Sequence, residues 1–367
     1  MAASSGRRRW LLLLVPAVVV VLVVVLAVAV LSTPGDEAAV PVATGGEGQE
    51  IDTAGIAFAP TLVVYNGRSH YGSEKVFEEF SEATGVEIEL RGGTGPELFE
   101  RLTREGKDTP ADVFITTDLA NLYRAEEAGV LQGVTSPTLR AQIPARLHDP
   151  AGQWWALSTR LRIPVVSTER VPAGAVTRYE DLADPRWKGR TCLRTSRSEY
   201  NQSLIADMIA KRGPVETEAL VKSWMDNQPK IINSDGEMLA TIAAGGCDVG
   251  LANHYYLGRT LAENPAFPVA PAWPDQDGRG AHANVSGVGV VAGSDAVPTA
   301  VALMEWLTSP PAQTEIVSRS EFAANPAVPP APHIAAWATV KTDPIDGEQA
   351  GPLIDDAVAL MLKYGWT

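Results

Sequence analysis

The sequence predicts two doubly wound α/β lobes that close like a clamshell on two extended crossings, behind an N-terminal membrane helix. Three observations carry that expectation. Strand-period and helix-period segments alternate in two blocks, 61–129 and 191–252. Two extended apolar runs, 154–167 and 285–292, are placed to pass from one block to the other. A third run, 10–31, is uncharged and follows Arg7, Arg8 and Arg9. Strand–helix alternation implies parallel sheets covered by helices on both faces. Two such lobes joined by two crossings form a hinge, with ligand in the cleft at the C-terminal ends of the strands.

The chain of 367 residues has room for two ordinary domains beyond any targeting segment. The run 10–31 reaches the roughly 20 residues that a bilayer requires and exceeds the roughly 7–15 of a signal-peptide core. Its length favours a retained anchor over cleavage near Ala27 or Ala29. The arginines hold residues 1–9 in the cytoplasm, which puts everything after Leu31 outside. No cysteine lies near the end of the run, so a lipid-modified cysteine is excluded as the anchor. Residues 32–60 are rich in Gly, Pro, Ala and acids and are expected to be a flexible spacer. A net charge of -14 argues against nucleic acid as a partner and suits an extracytoplasmic protein that cations approach.

In the first block, 61–65 is a short apolar strand, and 73–84 a helix with Val76, Phe77 and Phe80 on one face and Gly85 past its end. Val86, Ile88 and Leu90 alternate with glutamates, a strand period. Proline opens a helix at 96–105. The glycine run 91–96 lacks the Lys-Ser/Thr of a phosphate loop and is expected to cap that helix. Strand 111–116 and helix 118–128 follow. The second block gives strand 191–195, helices 201–212 and 215–226, strand 230–233, helix 236–244 and strand 248–252. The expected lobes are 61–160 with 290–335, and 161–289 with 336–367.

Cys192 and Cys247 each open an expected strand. Neighbouring strands lie about 5 Å apart, so an oxidising compartment favours a disulfide, two buried thiols being the alternative.

Tyrosines carry the chemistry. His70 and Tyr71 follow the first strand, Tyr200 follows the strand at 191, and Tyr255-Tyr256 follow the strand at 248. A free phenol keeps its proton to about pH 10 and is a poor ligand for most cations. A small hard trivalent ion such as Fe(III) displaces that proton, and phenolate oxygen then suits it. Inside a helix two adjacent tyrosines point about 100° apart, so both reach one ion only from a strand-to-helix turn. Four phenolates on Fe(III) leave one net negative charge, which asks for a nearby cation. Arg160 and Arg162 on the first crossing are expected to stand behind the ligands and offset that charge, with Arg194 or Arg197 as alternatives. A tyrosine pair alone more often signals half-buried packing. The coincidence at three strand ends carries the metal reading. His254 is expected to point elsewhere, and His148, His282 and His333 show no ligating spacing.

The stretches VVYNGRSHYGSE, PADVFITTDLANLYRAEEAGVLQ, LADPRWKGR, RTSRSEYNQSL, GGCDVGLANHYYLGR and DGRGAHANVSGVGVV resemble, in that order, the ferric-ion-binding proteins of bacterial ABC importers. The resemblance spans about 61–367 and implies the type II periplasmic-binding-protein architecture. Within the family the chain is most similar to the tyrosine-rich cyanobacterial subgroup. The matching positions imply His70, Tyr71, Tyr200, Tyr255 and Tyr256 as iron ligands. Where the other subgroup has a glutamate, this chain has Thr117, which implies direct tyrosine coordination without an obligatory anion. An ABC permease and its ATPase are implied as partners, with the receptor itself monomeric.

The alternative is the same clamshell holding an organic or anionic solute such as a polyamine or phosphonate. A metal-dependent hydrolase ranks third. It needs an open coordination position and a general base, and no Gly-x-Ser-x-Gly or His-Glu-x-x-His motif is present.

Overall fold

The computed structural model describes residues 57–68, 75–344 and 346–367. The expected membrane span, most of the spacer, and the segment bearing His70 and Tyr71 lie outside the described residues. Among the described residues no helix is long and apolar enough to cross a membrane.

The chain first forms β1 (Thr61–Asn66), α1 (Lys75–Thr84), β2 (Glu87–Gly92), α2 (Gly95–Glu105), β3 (Val113–Thr116), α3 (Leu119–Glu127), β4 (Leu131–Gln132) and β5 (Trp155–Ser167). It continues with β6 (Thr191–Arg194), α4 (Glu199–Arg212), α5 (Pro214–Asp226), β7 (Lys230–Ile232), α6 (Asp235–Ala243), β8 (Val249–Asn253), α7 (His254–Glu263), β9 (Val269–Pro271) and β10 (Ala281–Val291). After these come α8 (Val297–Thr308), α9 (Pro310–Ile316), β11 (Phe322–Ala323), β12 (Thr342–Pro344) and α10 (Ile354–Lys363), besides shorter helical turns.

The main sheet runs β2-β1-β3-β10-β5-β8-β6-β7. Its outer thirds are parallel: β1 pairs with β2 and β3, and β6 with β7 and β8. Between them β10 and β5 pair antiparallel with each other, and each pairs antiparallel with the neighbouring parallel group. The two crossings are thus central strands shared by both halves. At 13 residues β5 is long enough to serve both, since a strand rises about 3.3 Å per residue. The second crossing begins at Ala281, earlier than the apolar run suggested. Its first turnings carry His282 and Asn284, which are polar yet buried, and this interrupts the sequence signal. At Gly287 a Cβ would lie 2.9 Å from the Trp155 carbonyl, so the two crossings approach each other only over a bare backbone there.

Local chemistry sets the helix starts. Thr94 and Glu97 form a reciprocal capping box at α2, which accounts for the glycine run before it. Asp118 caps α3 by accepting from Ala120 N. Trp155 is buried and stacks on His148 with ring centroids 4.2 Å apart, so this tryptophan packs the core. The C-terminal stretch lies against both halves. Gly351 abuts the Tyr123 ring on α3, while Trp366 donates to the Arg194 carbonyl at 2.7 Å and meets Trp224 edge-on. Cys192 and Cys247 form a disulfide with Cα atoms 5.9 Å apart.

Candidate metal centre

Two strand-to-helix corners, β6–α4 and β8–α7, converge at the C-terminal ends of parallel strands. Strand β8 passes into α7 without a loop, because Asn253 ends the strand and His254 begins the helix. Tyr255 and Tyr256 therefore sit inside the first helical turn, rather than in a connecting turn as expected. Their rings nonetheless lean together, with centroids 4.6 Å apart and planes 29° from parallel. Helix α4 likewise begins at Glu199, which places Tyr200 in its first turn.

The structure brings Tyr200, Tyr255 and Tyr256 together. The Tyr255 hydroxyl donates to the Tyr200 hydroxyl at 3.3 Å and accepts from Asn253 Nδ2 at 3.3 Å. Tyr200 and Tyr255 are buried, and Tyr256 is half-buried. Arginines crowd the Tyr200 ring: the guanidinium carbons of Arg160, Arg194 and Arg162 stand 4.9, 5.2 and 6.0 Å from its centroid. Arg259, one turn along α7, covers Tyr256 at 4.6 Å and Tyr255 at 5.2 Å. Its spacing from the tyrosine pair, three and four residues on, was a readable signal that sequence reasoning passed over.

The arginines differ in their freedom. Arg162 is buried and fully engaged: it donates to Asn201 Oδ1 at 2.9 Å, to Asp235 and Asn253 at 3.1 Å, and to the Leu251 carbonyl at 3.1 Å. It clamps β5, β8, α4 and α6 into one corner. Arg160 pairs with Asp118 at 3.5 Å, across from Tyr200. Arg197 is exposed, while Arg194 stands on the ring face.

Burial pushes the Tyr200 phenol up to about 12; the neighbouring Glu199 carboxylate adds to the rise and Arg160 opposes it. The Glu199 carboxyl is itself pushed up to about 7, by burial first and by Asp118 second. It accepts hydrogen bonds from the Thr117 hydroxyl and from Asn121 Nδ2. His254 is buried and points away from the tyrosine oxygens. Its Nδ1 accepts from Leu161 N at 3.0 Å and its ring stacks on Phe322 at 4.5 Å. Burial holds its pKa down at about 3. Among the described residues no cluster of three or more His, Cys, Asp or Glu could hold a metal. Among the described residues the oxygens gathered at this corner include the phenols of Tyr200 and Tyr255, and displacement of phenolic protons needs a strongly polarising cation.

Residues 108–346 match the family described as bacterial extracellular solute-binding protein, and the chain belongs to that family. It is 36% identical to iron uptake protein A1 of Synechocystis sp., over 92% of this chain and 93% of that protein. It is 26% identical to the Fe(3+)-binding periplasmic protein of Serratia marcescens, over 71% of this chain and 77% of that one. Among solved structures it is similar to the Trichodesmium protein IdiA (FutA) in complex with iron and citrate. That likeness has a TM-score of 0.76 and 36% identity, and covers 84% of this chain and 100% of the other. Apo FutA2 from Synechocystis gives a TM-score of 0.74 and 34% identity, with 84% and 100% covered. The fold is therefore that of the periplasmic binding proteins.

Proposed function

We propose that this chain is an extracytoplasmic Fe(III) receptor that delivers iron to an ABC importer. The observation that carries this reading is the pair of buried hydroxyls of Tyr200 and Tyr255, 3.3 Å apart, with Tyr256 stacked alongside and four guanidiniums around them. Such oxygens serve an ion that takes their protons, and the arginines offset the negative charge that phenolates leave. The iron-uptake and ferric-binding names of the similar proteins support the same reading.

In this account Tyr200, Tyr255, Tyr256 and Tyr71 bind the ion, with His70 at the fifth position. Tyr71 and His70 come from the half that carries β1, and the other three from the opposite half. Residues 61–160 with 290–335 and residues 161–289 with 336–367 act as the two lobes, and iron biases the hinge toward closure. No synergistic anion is obligatory. The monomeric receptor is anchored by 10–31 and meets a permease and its ATPase, which open the cleft for release.

The test is equilibrium binding of Fe(III), offered as citrate and as nitrilotriacetate, alongside spermidine and a simple alkylphosphonate. Saturable binding of iron from either carrier, with no binding of the organic solutes, is the expected result. Tight binding of a solute without iron would replace this reading with the organic-solute receptor.

A further inference from the structure

We propose that Glu199 is a positioning residue, a latch that fastens the helix bearing Tyr200 to the opposite half of the molecule. The inference deepens the ferric reading and rests on it for its consequence, the retention of iron.

Glu199 opens α4, which follows β6 in the second half, yet its carboxylate partners belong to the β3–α3 corner of the first. It accepts from the Thr117 hydroxyl on one oxygen and from Asn121 Nδ2, 3.2 Å away, on the other. Ser203 lies one helical turn further along the same face of α4, and its hydroxyl donates to Asp118 Oδ2 at 2.6 Å. Asp118 is itself held by Asn284 Nδ2 on β10 at 2.8 Å and by Arg160 on β5 at 3.5 Å. One face of α4 therefore grips three polar residues around the start of α3, Thr117, Asp118 and Asn121. The fit is close: a Cβ on Gly95 would stand 2.8 Å from Asn121 Nδ2 and 3.4 Å from Glu199 Oε2.

Tyr200 is the next residue, about 100° around the helix. Fixing Glu199 fixes the first turn of α4, and with it the direction of the Tyr200 hydroxyl toward Tyr255. The latch forms only when the two halves meet, so it stabilises closure without touching the ion. A hydrogen bond to a charged group strengthens such a contact enough to slow opening about tenfold when both partners are present.

The test is a mutant cycle on the full chain, using Glu199→Ala, Glu199→Gln and, from the other half, Thr117→Val with Asn121→Ala. Two readings are taken: iron dissociation into excess chelator, and the distance between spin labels at Glu100→Cys and Glu216→Cys. Expected are dissociation about tenfold faster in Glu199→Ala and in the Thr117/Asn121 variant, and no further gain when they are combined. Glu199→Gln, whose oxygen still accepts from Asn121 Nδ2 while its Nε2 donates to the Thr117 hydroxyl, stays near wild type, and in the weakened variants the label distances lengthen in step with the faster release. An unchanged wavelength of the iron band in all variants would show that the ligands are intact. Additive effects, or unchanged rates and distances, would overturn the latch. A wild type that never binds iron would overturn the ferric reading instead, and the label distances would still decide the latch. Should Glu199→Ala not fold, the Thr117/Asn121 variant alone gives the decision.

Discussion

The hydroxyl of Tyr255 donates to the hydroxyl of Tyr200 across 3.3 Å, joining the first turn of α7 to the first turn of α4. The pair brings two buried phenol oxygens together at one corner. Removing one oxygen while keeping its ring separates binding from packing. Tyr255→Phe is expected to weaken iron binding by about 100-fold or more, while thermal stability changes by less than about 1 kcal/mol. Chelator competition and a melting curve read the two effects.

Iron binding is also expected to release protons. Tyr200 is neutral at physiological pH, because burial raises its pKa to about 12, so its coordination expels a proton. Affinity should then rise with pH between about 6 and 8. Titration in two buffers of different ionisation enthalpy would count the protons, and a count of zero would contradict phenolate coordination.

Arg162 and Asp235 form a buried pair at 3.1 Å. Arg162→Leu alone takes from Asp235 its nearest cation, leaving it Arg194 at 3.9 Å and the Asn253 N–H at 3.0 Å, and is expected to cost about 3–5 kcal/mol in urea unfolding. Replacing both residues by leucine should recover much of that loss, since both fully buried charges are then gone and Arg194, the other cation near Asp235, is only partly buried. Equal losses in the single and double variants would show that packing, not charge, dominates the corner.

His254 makes stability depend on acid. Its folded-state pKa is depressed to about 3 by burial, against an ordinary value near 6.5. Between those values the unfolded chain holds a proton that the folded chain refuses, so stability is lost as pH falls from about 6.5 toward 3. The slope from this residue is on the order of 1.4 kcal/mol per pH unit. In the iron-free protein His254→Gln should flatten that dependence; an unchanged slope would assign it to other groups.

The disulfide spans 55 residues between Cys192 and Cys247. A loop of that length predicts about 4 kcal/mol of stabilisation in the chain-entropy treatment. Thermal melts with and without a phosphine reductant measure it, and the iron spectrum should survive in the reduced protein below its new melting point, since neither cysteine touches a tyrosine oxygen.

Much of the fold was legible because local patterns agreed with it. Val76, Phe77 and Phe80 point inward on α1, and the alternation of Ile88 and Leu90 with glutamates marks β2. What escaped was non-local. Nothing in the run after β6 signals that Glu199 rather than Asn201 starts α4, since the partners that seat Glu199 are Thr117 and Asn121, some 80 residues earlier. The early start of β10 was hidden by buried His282 and Asn284, whose partners Asp207 and Asp118 lie on distant elements. Of the site, the convergence of Tyr200 with Tyr255-Tyr256 and the placement of Arg160 and Arg162 could be reasoned from strand ends. The role of Arg162 as a clamp, with four hydrogen bonds already made, could not.

The central claim is that buried tyrosine oxygens bind Fe(III), and a visible absorption titration of the purified protein with ferric citrate tests it most directly. The account predicts a phenolate-to-iron charge-transfer band that saturates at one iron per chain and is lost in Tyr255→Phe/Tyr256→Phe. A protein that stays colourless through the titration, or a band that survives the double substitution, would contradict it.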